Sequence, residues 1–260
     1  MPMLHVLLSI LLAAPMAQTR EPKPAEPARV ASAVAALKTA FEKGKPEERV
    51  AAIVAEQEVV EPSVLAWFAK GLKDPDSTVR NAAAEALRFA RHPAALSALE
   101  DALKRERKAS KDVEWLTKLT KCVGQHQSAS SVPLFAENAF QPQAPTLIDA
   151  RIFALANTRS RPALEELIGL IRTVGRERLQ PYMPTLRLAL MVVTGVDKGV
   201  SQDAWMAWWN DHKAKFEIPK DMPALPKDLL RRWNVFWGLD VVRERPKKRG
   251  ERGDDPEAGG

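Results

Sequence analysis

Between residues 73 and 106 the chain reads KDPDSTVRNAAAEALRFARHPAALSALEDALKRE. Val79, Ala82, Ala83, Ala86, Leu87 and Ala90 recur at helical intervals on one face. After Pro93, the positions Ala95, Leu96, Leu99, Ala102 and Leu103 do the same. The pattern predicts two amphipathic helices meeting at a proline-marked break. Asp76 or Ser77 can cap the first by accepting a backbone N–H, and Pro93 opens the second at a position where its missing N–H costs nothing. Extended along the chain, the same apolar periodicity predicts five helix pairs. These are 28–43 with 46–57, 62–72 with 76–90, 93–107 with 110–124, 129–140 with 146–157, and 160–174 with 182–193.

The pairs are repeats of one unit. Pro62, Pro93 and Pro162 open first helices, and the second helices carry an apolar residue followed by arginine at Val79-Arg80, Ala150-Arg151 and Leu186-Arg187. Arg49 fits the series and Glu114 takes the intervening slot, so the slot recurs at 49, 80, 114, 151 and 187. A charged slot returning every 31 to 37 residues on alternate helices marks a helical solenoid. The abundance of alanine follows from that architecture. Each helix packs against its partner and against neighbouring units, so small side chains let backbones approach while leucine fills the gaps.

The stretch DPDSTVRNAAAEALRFARHPAALSALEDAL resembles a HEAT repeat, of the short type also found in phycobilin-lyase-related proteins, and further on Thr194-Gly195 followed by a Trp-x-x-Trp-Trp helix (Trp205, Trp208, Trp209) resembles segments that close HEAT arrays in some exported bacterial proteins. The resemblance is carried by motif over residues 62–107 and by periodicity over roughly 28–195. It implies an all-α fold, a right-handed α-α superhelix. It also implies polar ladders between successive repeats, made by a turn Asp and an Arg early in the second helix. Asp74 or Asp76 with Arg80 matches that pattern, and Asp149 with Arg151 matches it in part. Arg187 has no turn Asp before it, and Glu114 stands where the pattern has Arg.

After residue 195 the texture changes. SQDAWMAWWNDHKAKF places Trp205, Trp208, Trp209 and Phe216 on one stripe behind a Ser201 cap, and LLRRWNVFWGL aligns Leu229, Leu230, Trp233, Phe236 and Trp237. A solenoid end exposes an apolar face that bulky aromatics can seal, so residues 196–240 are expected to form a Trp-rich helical cap. An aromatic binding cleft is the competing expectation, since Trp is enriched at binding hot spots. Residues 241–260 have no apolar pattern and are expected to be a disordered charged tail, in which the basic run Arg243 to Arg249 could touch phosphate or anionic lipid.

At the other end, Met3 to Ala14 is an apolar run of 12 residues followed by a polar, Pro-rich stretch. That length suits a secretory signal and is too short for a spanning helix. Residues 1–17 are therefore expected to be a cleaved signal peptide, residues 18–27 a Pro-rich linker, and the mature protein periplasmic or secreted with no transmembrane anchor. The single cysteine, Cys122, can make no intramolecular disulfide, and its helical spacing from Trp115, Leu116 and Leu119 marks it as a core residue.

Chemistry is sparse. The sequence contains no HExxH, CxxC, GxSxG, P-loop or GxGxxG motif. Asp74, Asp76 and Glu85 imitate three positions of a calcium loop, but Val79 stands where the loop needs Gly. His92 and His126 fall in equivalent slots near the ends of second helices, where imidazoles can bond free carbonyls. The net charge of +6, from 39 Lys and Arg against 33 Asp and Glu, is mild and scattered for a dedicated nucleic-acid binder. The expected role is a non-catalytic exported scaffold or adaptor that binds another protein and uses no cofactor, catalytic residue or metal. Two other classes are carried beside it. One is a HEAT-like enzyme, by analogy with bilin lyases and DNA glycosylases of that fold. The other is a basic-surface binder of nucleic acid or anionic surfaces.

Overall fold

The computed structural model describes residues 25–239, apart from residues 110, 174 and 175. The expected signal peptide and the charged tail thus lie outside the described residues, as does most of the linker. The described residues fall into two compact units, divided between Ala224 and Leu225. Among the described residues there is no strand.

The first unit is a solenoid of paired helices: α1 (Pro27–Lys43) with α2 (Pro46–Glu56), α3 (Pro62–Gly71) with α4 (Ser77–Phe89), and α5 (Pro93–Ala109) with α6 (Val113–Gln125). There follow α7 (Val132–Ala136) with α8 (Pro145–Thr158), then α9 (Arg161–Thr173) and, after the short α10 (Arg176–Leu179), α11 (Met183–Thr194). The helices form two layers. First helices stack as α1 on α3 on α5, and second helices stack as α2, α4, α6, α8 and α11 in succession. This is the all-α solenoid the periodicity predicts.

The starts of the helices obey local chemistry. Pro27, Pro46, Pro62, Pro93 and Pro145 each occupy the first helical position, where the ring presets φ and no hydrogen bond is lost. Of the two candidate caps of α4, Asp76 does the work, accepting from the backbone N–H of Thr78 at 2.8 Å. Asp112 caps α6 by accepting from Trp115 N at 2.9 Å. Alanine serves the stacking. Ala83, Ala84 and Ala86 are buried on α4, which touches α2, α3, α5 and α6. Backbones approach closely at Gly71, where a Cβ would lie 2.8 Å from the Cβ of Ala83.

The fourth pair departs from expectation. In place of a helix over 129–140 there is one 3-10 turn at Ala129–Ser131 and the five-residue α7. Glu137 is extended and Asn138 adopts φ +52°, so the helix stops well before Pro142. The carbonyls this leaves without helical partners are taken up by guanidinium groups. Arg107 donates to Leu134 O and Glu137 O, and Arg151 to Asn138 O, Ala139 O and Gln141 O.

The expected cap divides. Helix α12 (Gln202–His212) belongs to the first unit and packs on α9. From there, residues 213–224 form a strap held by two arginines. Arg159 donates to the carbonyls of Pro219, Lys220 and Asp221, and Arg161 to those of Lys213 and Phe216. Helix α13 (Lys227–Trp237) forms the second unit.

Candidate interaction groove

The repeated arginine slot closes turns more than it links repeats. Arg49 on α2 donates to Gly44 O in its own turn at 2.9 Å and pairs with Asp74 in the next turn, also at 2.9 Å. That is the inter-repeat ladder, and it is built from Arg49 and Asp74. Arg80 does not continue it: Nη1 donates to Asp74 O and Pro75 O, both in its own turn, at 2.9 Å. Asp76 serves as a helix cap and not as a rung. The cap hydrogen bonds from the Thr78 side chain and backbone hold its carboxyl below the usual range. Arg151, buried on α8, likewise reaches only its own turn, and burial pulls its pKa down to about 10. Arg187 pairs with Asp197 beyond the end of its own helix, at 2.8 and 2.6 Å. Asp149 is half-buried on α8. The physical reason is that helix C-termini leave carbonyls unsatisfied, and an arginine one turn into the following helix is the nearest long donor.

With its hydrogen bonds directed at its own turn, Arg80 lays its guanidinium over the ring of Trp115 on α6, 5.7 Å from the centroid. The two side chains line a groove of about 560 Å³ together with Ser77, Asp112, Glu114, Lys118 and Lys121. A second hollow of about 380 Å³ also has Arg80, Asp112 and Trp115 in its wall. The indole N–H of Trp115 is buried and has no hydrogen-bond partner. An unmet buried donor of this kind costs about 1–3 kcal/mol.

Deeper along the same two helices, Glu85 bridges cations from both. It pairs with Lys118 on α6 and, at 3.4 Å, with Arg88 on α4. Burial would raise the Glu85 carboxyl, but the hydrogen bond from Lys118 and the charges of Arg88 and Lys118 outweigh it and hold it low. Lys121 is pulled down, first by burial and then by the charge of Arg88. The arrangement can offer positive charge, an aromatic face and an indole donor together. Among the described residues no three His, Cys, Asp or Glu side chains gather to hold a metal.

The two histidines have separate duties. His126 Nε2 donates to Leu87 O, at the end of the neighbouring α4, at 3.0 Å, and burial depresses its pKa to about 4. His92 Nδ1 instead accepts from Ala94 N at the start of α5. Cys122 is fully buried, and burial pushes its thiol up to about 12.

The tryptophans of α12 are packed side chains. Trp205 is fully buried and donates Nε1–H to Gly199 O at 2.9 Å. Trp208 stacks on His212 and meets Trp205 and Phe216 edge-on, and Trp209 lies under Arg161. In the second unit, Trp233 and Trp237 are buried with their rings 5.6 Å apart.

Arg80, expected as a ladder rung, instead meets Trp115, a contact that the motif does not single out. The signal was present in the period: residues 80 and 114 share a slot, so Trp115 stands one residue past the position facing Arg80.

No curated protein matches the chain. The family model described as HEAT repeats matches residues 33–115, from within α1 to the first turn of α6. Residues 33–115 are thus similar to HEAT repeats, within a solenoid of stacked helix pairs.

Proposed function

We propose that this protein is an exported, non-catalytic scaffold that binds another protein along its second-helix layer. The observation that carries this is the face shared by α4 and α6, where charged, aromatic and hydrogen-bonding groups stand along a groove between stacked helices. Stacked repeats supply an extended surface for a partner, and such a surface needs no cofactor. The buried Trp205, Trp208 and Trp209 favour a sealing role for α12 over an aromatic cleft. The apolar run from Met3 to Ala14 is the support for export.

Two measurements test this. N-terminal sequencing of protein from its native host should begin near Gln18, and an intact Met1 form in the cytoplasm would sink the export claim. Cross-linking and capture on the mature chain from the native envelope fraction should recover a partner in stoichiometric amount. Recovery of the chain alone, from a fraction that retains its cross-linking competence, would remove the scaffold claim.

A further inference from the structure

We propose that the groove between the starts of α4 and α6 docks an extended acidic segment of a partner protein, with Arg80, Lys118 and Lys121 taking carboxylates and Trp115 taking a main-chain carbonyl. The proposal rests on the scaffold reading above and names the chemistry of its partner.

Two observations point to a ligand. The first is Arg80. Among the described residues no carboxylate pairs with it: Nη1 meets two backbone carbonyls and the guanidinium face meets the Trp115 ring. The Nε–Nη2 edge is left for a partner, and that edge matches a carboxylate in bidentate geometry. The second is Trp115. Its side chain is 6% exposed, it lines both hollows, and its indole N–H has no acceptor. A peptide carbonyl arriving in the groove supplies the missing acceptor after a small opening of the Arg80 stack.

The remaining walls say which kind of anion fits. Lys118, which also pairs with Glu85, and Lys121 line the groove from α6, together with Asp112 and Glu114. A nucleic-acid backbone presents only anions and would be repelled by that acidic wall. A polypeptide presents both signs: its carboxylates suit the arginine and lysines, and its N–H groups suit Asp112 and Glu114. The mild net charge of the whole chain agrees with a local, mixed recognition surface rather than a broad basic one.

The test is selection of a random dodecapeptide display library on the immobilised full chain. Enriched peptides should carry at least two Asp or Glu residues. They should bind Lys121→Glu and Arg80→Gln at least tenfold more weakly than the wild-type chain, and shift its tryptophan emission. Arg80→Gln removes a turn contact, so Lys121→Glu, at a half-exposed position, guards against a loss of folding, with the circular dichroism spectrum as its control. Enrichment without acidic bias, equal binding by Lys121→Glu, or no enrichment at all would overturn the groove. So would binding of a dT20 oligonucleotide that Lys121→Glu abolishes while no acidic peptide is selected. Capture of a native partner equally well by wild type and Lys121→Glu would leave the scaffold standing and the groove refuted. Loss of capture by both would refute the scaffold itself.

Discussion

Helices α4 and α8 hold equivalent places in the stack of second helices, each with arginine at the repeated slot, yet they sit in opposite surroundings. On α4 the apolar positions fall on one side, and Asn81 and Glu85 keep contact with solvent. On α8 every residue from Leu147 to Thr158 is buried except Asp149. The neighbouring α11 repeats this, burying Thr185 to Thr194 except Arg187. A helix that is hydrophobic all round belongs inside a protein, and one with a polar face belongs at its surface. The N-terminal repeats therefore offer a wet face, while α8 and α11 form a thick core. The arginine slot follows: Arg80 stays half-exposed and lies over Trp115, while Arg151 is buried among carbonyls.

The largest expected effect lies in the seal of the C-terminal repeats. Trp208→Ala removes a buried ring that touches Trp205, His212 and Phe216 and should cost about 3–5 kcal/mol in the protein without ligand. Urea unfolding with an unchanged midpoint would show that α12 is not part of the core it covers. The two slot arginines come next. Arg151→Met should cost about 3 kcal/mol, because three carbonyls lose their donor inside the protein. Arg80→Met, partly replaced by water, should cost about 1 kcal/mol. Equal losses from the two, measured under one set of conditions, would break the contrast between α4 and α8.

Ala86→Phe tests the packed side of α4. The residue is 2% exposed, and overpacking there should cost about 1–3 kcal/mol, read as a lower thermal midpoint. The last effect is set by pH. The folded pKa of His126 is about 4 against an ordinary 6.5, so the unfolded chain binds the extra proton as pH falls. The stability from this group is intact above pH 6.5 and declines toward pH 4. The loss is about 1 kcal/mol at pH 6. His126→Gln, whose amide can still donate to Leu87 O, should flatten that part of the pH profile. An unaltered slope between pH 7 and 5 would place the titration elsewhere.

Much of this contrast was legible in the chain. TLIDARIFALANT lacks the polar face of STVRNAAAEALRF, and that difference alone separates a buried helix from a half-exposed one. The helix pairs could be read to within a few residues because proline punctuation and apolar spacing agree. The failure at 129–140 has a local cause. Residues 129–136 carry a helical pattern, but the chain must turn before Pro142, and Arg107, Arg151 and Arg178 make the resulting free carbonyls tolerable. Those donors come from other helices, Arg107 from 27 and 30 residues away, so the apolar pattern of 129–140 does not show them.

The sequence by itself determined the repeat, the helix starts and the stacking face, because capping, proline geometry and apolar periodicity act within a few residues of chain. Only the tertiary structure decided what each charged slot does. A guanidinium chooses among a carboxylate, a free carbonyl and an aromatic ring by which lies within its reach, and reach is set by how neighbouring helices stack. Arg49 finds Asp74, Arg80 finds Trp115, and Arg151 finds the carbonyls of a broken helix, though all three occupy one place in the repeat.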